Sequence, residues 1–87
     1  MQMDELLRIA REQVAALTGF PAESVTGLRA DGDGAWAVTV EVLELERVPN
    51  TMDLLGSYEI QLDDDGEVLG FTRRRRYHRA AAEDGRG

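Results

Sequence analysis

Residues 36–42 read Trp-Ala-Val-Thr-Val-Glu-Val, and this run constrains the chain more than any other. Trp36, Val38, Val40 and Val42 alternate with Ala37, Thr39 and Glu41. That is the period of two expected of a strand with one buried face. Such a strand needs neighbours for its backbone and a cover for its apolar side. The alternation then changes phase, because Leu43 and Leu45 are apolar while Glu44 and Glu46 are polar. Either a bulge intervenes near Val42, or both faces of the strand meet apolar surface. The strand is predicted over 36–48, with Pro49-Asn50-Thr51 ending it.

The neighbours lie on either side in sequence. Residues 54–62 and 67–78 read as strands joined by the tight turn Asp63-Asp64-Asp65-Gly66, whose glycine suits a positive φ. A weaker strand, 25–30, precedes the turn Asp31-Gly32-Asp33-Gly34. With Asp64-Asp65-Gly66 as a three-residue hairpin loop, Leu62 falls opposite Val68, Ile60 opposite Gly70 and Tyr58 opposite Thr72. One face then carries Val40, Val42, Ile60, Leu62 and Val68. The other carries Leu43, Leu45, Leu55, Leu69 and Phe71, with Tyr77 a further candidate.

The cover is a helix predicted over 4–17. Met3, Leu6, Leu7, Ala10, Val14 and Leu17 recur at three- and four-residue spacing and form one stripe. Asp4 and Glu5 sit early, where the helix dipole favours acids, while Gly19 and Pro21 provide the stop. The expected fold is α+β, one N-terminal helix packed on a four-stranded antiparallel β-meander. Residues 1–79 form the domain and 80–87 a flexible C-terminal tail. One helix covers one face of a sheet. The second apolar cluster is therefore expected to be an exposed patch of the kind that marks a partner surface; the alternative is that the tail folds back over it.

Charge narrows the choice of partner. Residues 1–72 hold 4 Arg and 15 Asp or Glu, giving −11, while residues 73–87 hold 6 Arg and 2 acids, giving +4; the sum is −7. An acidic body is repelled by nucleic acid, so nucleic-acid binding would rest on the basic end alone, with Phe71 and Tyr77 as stacking candidates. On a regular strand Arg73 and Arg75 point one way and Arg74 and Arg76 the other. That splits the charge and makes a poor clamp. Gly56 and Ser57 are small, so the arginine arms can reach across them to Glu44 and Glu46 in a cross-strand charge lattice. A protein-binding use of that lattice is the functional counterpart.

Catalytic, cofactor and metal sites are not expected. The chain has no cysteine and one histidine, His78, too few for a zinc site, and no serine has a base partner. An EF-hand loop counted from Asp63 would need glutamate at its twelfth position, where Arg74 stands. No apolar run is long enough for a membrane span, and the start lacks a basic segment followed by an apolar one, so neither a membrane association nor a secretory signal is expected. The absence of cysteine fits a reducing cytoplasm. The remaining candidate is the loop around Pro49 and Asn50, with Arg47 beside it and Asp53 placed to cap it through side-chain to backbone bonds. The expected partner-binding residues are thus Leu43, Leu45, Arg47, Pro49, Asp53, Phe71, Arg73, Arg75, Arg76 and Tyr77.

A series of short stretches also resembles a known family. They are Trp36 to Val42, Glu44 to Thr51, Asp53-Leu54-Leu55, Tyr58-Glu59, Leu62-Asp63, Gly66-Glu67, and finally Arg73, Arg76-Tyr77 and Arg79. Their order and spacing resemble the gas vesicle protein O family (GvpO) over about residues 8–79. Phe71 stands where tyrosine is commoner, Val48 where isoleucine is, and Asn50 where aspartate is. The resemblance implies a non-enzymatic accessory protein for gas vesicle formation, cytoplasmic and vesicle-associated. It also implies binding to other accessory proteins and the associated ATPase, with the shell protein a further candidate partner. Influence on shell-gene expression is another role proposed for the family. No catalytic residues come with it. A homodimer through the open sheet face or edge is compatible with all of this.

Overall fold

The computed structural model describes residues 2–80. In chain order the elements are helix α1 (Met3–Thr18), strands β1 (Ala22–Ala30) and β2 (Trp36–Leu45), a short 3₁₀ turn (Asn50–Met52), and strands β3 (Leu54–Leu62) and β4 (Val68–His78). The strands form an antiparallel sheet in the order β1-β2-β3-β4, with α1 on one face: the α+β meander expected. The proposed tail, 80–87, lies outside the described residues but for Ala80.

Helix α1 ends as its sequence requires. Gly19 adopts φ 76°, and its N–H bonds the carbonyl of Ala15 at 2.8 Å. The stripe is narrower than predicted. Leu6, Ala10 and Val14 are buried, whereas Met3 and Leu17 at its ends are exposed. They pack on Val38, Val40, Val42, Tyr58, Ile60 and Leu62, which share one face of the sheet. Fully burying side chains such as Ile60 and Leu62 contributes about 1.5–3 kcal/mol each. The packing of α1 runs over β1, β2 and β3, leaving β4 beyond its main contact.

The β3–β4 hairpin turns as expected. Asp63 N–H bonds the Glu67 carbonyl at 2.9 Å, Gly66 takes φ 85°, and Leu62 pairs with Val68. Beyond that pair the register departs from the regular one. Leu69 is an extra residue, so Gln61 pairs with Gly70 and Ile60 with Phe71 rather than with Gly70. Arg74 is a second extra residue, between the pairs Tyr58–Arg73 and Ser57–Arg75. Strand β2 has its own irregularity at Glu44, between the pairs Leu43–Leu55 and Leu45–Leu54.

Each bulge reverses which residues share a face. Phe71 therefore stands with Ile60 on the helix side of the sheet, and Leu45 is in register with Leu54. The apolar cluster expected on the reverse face does not form as a unit. That face carries Leu43, Leu55 and the small Ala37 among polar residues: Thr39, Glu41, Ser57, Glu59 and Gln61. The sheet thus has a mostly polar reverse side. Its large exposed apolar residues are instead divided among Leu28, Leu45, Val68, Leu69 and Phe71 on different parts of β1, β2 and β4.

Candidate partner surface

The four consecutive arginines are held in two different ways. On the helix side, beyond the end of α1's cover, Glu44 is a buried carboxylate, its side chain 3% exposed. It accepts a hydrogen bond from Tyr58 OH at 2.8 Å and from Arg76 Nε at 2.7 Å, with Arg73 Nη2 at 3.6 Å. The Tyr58 ring stacks on Phe71 with centroids 5.4 Å apart. Gly56 makes this possible. A Cβ there would come within 2.2 Å of Glu44 Oε2, so only glycine leaves the carboxylate room between β2 and β4. The reach of an arginine across Gly56 to Glu44 is the lattice expected from sequence. Glu46 takes no part in an ion pair among the described residues, and Glu59 replaces it.

On the reverse side Glu59 collects Arg29 Nη2 at 3.3 Å and Arg74 Nη1 at 3.5 Å. Next to it Glu41, also buried, accepts hydrogen bonds from Thr26 Oγ1 at 2.7 Å, Ser57 Oγ at 2.9 Å and Tyr77 OH. Burial, with the hydrogen bond to Glu41, pushes the Tyr77 phenol far above its ordinary range. Arg75 lies over the Tyr77 ring, 4.4 Å from its centroid, a cation–π contact. It has no carboxylate within ion-pair distance among the described residues.

The loop before β3 is closed by Asp53. Its Oδ1 accepts the Arg47 N–H at 2.7 Å, its Oδ2 accepts Arg79 Nε at 3.2 Å, and its carbonyl accepts the Arg79 N–H at 2.9 Å. Arg79 also pairs with Glu23. The capping role expected for Asp53 is present, and the same residue ties the end of β4 to the loop.

The ten residues singled out in the sequence therefore do not share one face. Phe71, Arg73 and Arg76 stand together on the helix side. Leu43, Arg75 and Tyr77 lie on the reverse side. Arg47, Pro49 and Asp53 belong to the loop end, and Leu45 projects beside them at the end of β2. Tyr77 and Asp53 have their polar atoms engaged internally; Leu45, Phe71 and Arg75 are exposed. Sequence reasoning passed over Glu41, Glu59 and Tyr58 as anchors. The available signal was the placement of Glu41 at a polar position inside the most regular strand. Among the described residues no group of His, Cys, Asp or Glu side chains could hold a metal ion, and no helix is long and apolar enough to cross a membrane.

The geometry around Glu44 yields a stability prediction. Burial pushes its carboxyl up, but the hydrogen bonds from Tyr58 and Arg76 and the charges of Arg76 and Arg73 outweigh that and hold it below its ordinary value near 4.5. The folded value is depressed, so the contribution is present above the ordinary value and is lost as pH falls through the folded one. Arg73 and Arg76 are half exposed, and water screens the pairs. Glu44→Gln is expected to cost about 1 kcal/mol near neutral pH, and Glu46→Gln to cost almost nothing. Urea unfolding at pH 7 and pH 3 checks both: the gap between wild type and Glu44→Gln should narrow in acid.

Comparison with known proteins places the chain. It matches the family described as Gas vesicle synthesis protein GvpO over residues 1–83. It is 53% identical to Gas vesicle protein O of Streptomyces sp. (strain CB03234), over 90% of this chain and 60% of that protein. Against Gas vesicle protein O of Haloferax mediterranei the identity is 37%, over 80% of this chain and 50% of that protein. Against Gas vesicle protein O1 of Halobacterium salinarum it is 39%, over 80% of this chain and 58% of that protein. The chain thus spans between half and three-fifths of the length of these curated relatives. No solved structure matches it. On the family match and these identities, the chain belongs to the gas vesicle synthesis protein GvpO family.

Proposed function

We propose that the chain serves gas vesicle formation as a non-enzymatic binding subunit, cytoplasmic and associated with vesicles, that engages other gas vesicle proteins. Accessory proteins, the associated ATPase and the shell protein are the candidate partners. Family membership supports the process. The observation that carries the binding reading is the exposed β4 strand, where Phe71 stands in the open beside Arg73 and Arg76 and where Arg75 lacks a carboxylate partner among the described residues. Aromatic and arginine side chains that are pre-positioned by internal contacts lose little freedom on binding and are enriched at interface hot spots. Leu45 and the loop at Arg47 and Pro49 offer a further exposed region at the end of β2, Asp53 and Tyr77 hold the loop and the end of β4 in place through internal hydrogen bonds, and Leu43 lies on the reverse face with Arg75.

The rival reading is a nucleic-acid-binding regulator of shell-gene expression acting through the arginines. It draws less support, because the net charge is −7 and the arginines are divided between the two faces of the sheet, Arg73 and Arg76 on one and Arg75 on the other. Co-purification from cells expressing the full vesicle gene cluster tests the first reading, and a gel shift with RNA and DNA at low and moderate salt tests the second. Retention of vesicle proteins without a salt-sensitive shift is the expected result. A shift without retention would replace the binding reading with the regulatory one.

A further inference from the structure

Strand β4 ends the sheet, and among the described residues nothing pairs with its outer side. Its 11 residues, Val68–His78, therefore present an unpaired row of backbone donors and acceptors. The charge beside that row is unbalanced. Arg73 and Arg76 share the single carboxylate of Glu44, and Arg74 shares Glu59 with Arg29. Arg75 rests on Tyr77. Four guanidinium groups thus meet two carboxylates, one of which also serves a fifth arginine.

The strand divides this excess over both faces of the sheet, and the bulge at Arg74 sets the grouping, with Arg73 and Arg76 on the helix side and Arg75 on the reverse. A ligand lying on one face meets only part of it. A strand added at the edge meets all of it, because its own side chains alternate between the same two faces. A second copy's β4 is a poor candidate, since pairing the two would set arginine beside arginine. Another copy's β1 is no better: its one acid, Glu23, is already paired with Arg79. Farther along the edge, Phe71 and Val68 are exposed on the helix side.

We propose that an acidic extended segment of a partner protein adds to the free edge of β4 as a fifth strand, with acids beside Arg73–Arg76 and an apolar residue beside Phe71. This rests on the reading of the chain as a binding subunit and names the chemistry of its partner. Main-chain hydrogen bonds supply the attachment, and the arginines select the segment by charge.

The test uses the purified full chain and a fluorescein-labelled peptide of about ten residues alternating glutamate with valine and threonine, a length matched to the strand. Controls are the same peptide N-methylated at alternate backbone positions and a single-stranded RNA oligonucleotide. The acidic peptide is expected to bind, to weaken by at least about tenfold between low and high salt, and to slow amide exchange in residues 70–78 but not in β1. The N-methylated peptide should not bind, and Arg75→Glu should weaken the parent peptide by about fivefold. Equal binding of the N-methylated peptide would overturn strand addition in favour of charge attraction alone. Tighter binding of the RNA would overturn it in favour of a nucleic-acid site. If no peptide binds while the wild-type chain still co-purifies with vesicle proteins, the edge proposal fails and the binding reading survives. If co-purification fails as well, both fall.

Discussion

A chain carrying Phe71→Asp and Arg75→Glu together should no longer retain gas vesicle proteins on co-purification, while its circular dichroism and unfolding cooperativity stay those of the wild type. Both positions are exposed on β4, on opposite faces of the sheet, so the pair disables the strand from either side. The fold tolerates the change because the buried core lies under α1, on Val38, Val40, Val42, Ile60 and Leu62. Phe71 contributes the stack on Tyr58, whose loss costs about 0.5–1.5 kcal/mol. Loss of two interface anchors at about 2 kcal/mol each lowers affinity roughly a thousandfold, enough to clear a pull-down. Leu28→Ala, at an exposed apolar position on β1, is the control that should keep capture intact. Full retention of every partner by the doubly substituted chain would refute the β4 surface.

The second large effect is on stability. Ile60 is fully buried at the centre of β3, between Val38 on one side and Phe71 on the other, with α1 on the face above. Ile60→Ala removes several methyl and methylene groups from a site whose sheet neighbours cannot collapse inward. A loss of about 3 kcal/mol is expected. For a domain of this size each kcal/mol lowers the midpoint by about 4–8 °C, so thermal unfolding should begin at least about 12 °C earlier. Leu45→Ala is the contrast. Leu45 is 44% exposed, and its truncation should change stability by less than about 1 kcal/mol. If the two substitutions cost the same, Leu45 belongs to the core rather than to a binding surface.

Much of the arrangement is legible in the sequence. Gly19, with Pro21 after it, stops α1 because no other residue takes the left-handed turn as cheaply. Asp53 closes its loop because a short carboxylate reaches a nearby backbone N–H. The reach of Arg76 across Gly56 to Glu44 followed from the absence of a side chain in its path. The boundaries of β3 match those read from the sequence, with Asp53 directly before it and Asp63 directly after.

The faces of β4 were not legible. Counting back from the hairpin loop places Phe71 on the reverse side of the sheet, and the extra residue at Leu69 moves it to the side of Ile60 and Tyr58. The second extra residue, Arg74, pairs Arg73 with Arg76 where strict alternation pairs Arg73 with Arg75. A bulge has no obligatory residue type here. It is chosen by what the shifted side chains gain: Phe71 a ring to stack on, Arg73 and Arg76 a shared carboxylate. Glu41 was hidden for another reason. In sequence it is one more polar residue in an alternating strand, and only the register with β1, β3 and β4 brings three hydroxyls to it.

What the order of residues determined alone is the set of elements, their sequence along the chain, and the hairpin loop, because periodicity, glycine and proline act over a few neighbouring positions. What only the folded sheet decided is which side each β4 residue faces and which carboxylates hold the arginines. Those depend on single-residue slips that are settled by contacts between strands distant in sequence, and each slip turns every later side chain to the opposite face.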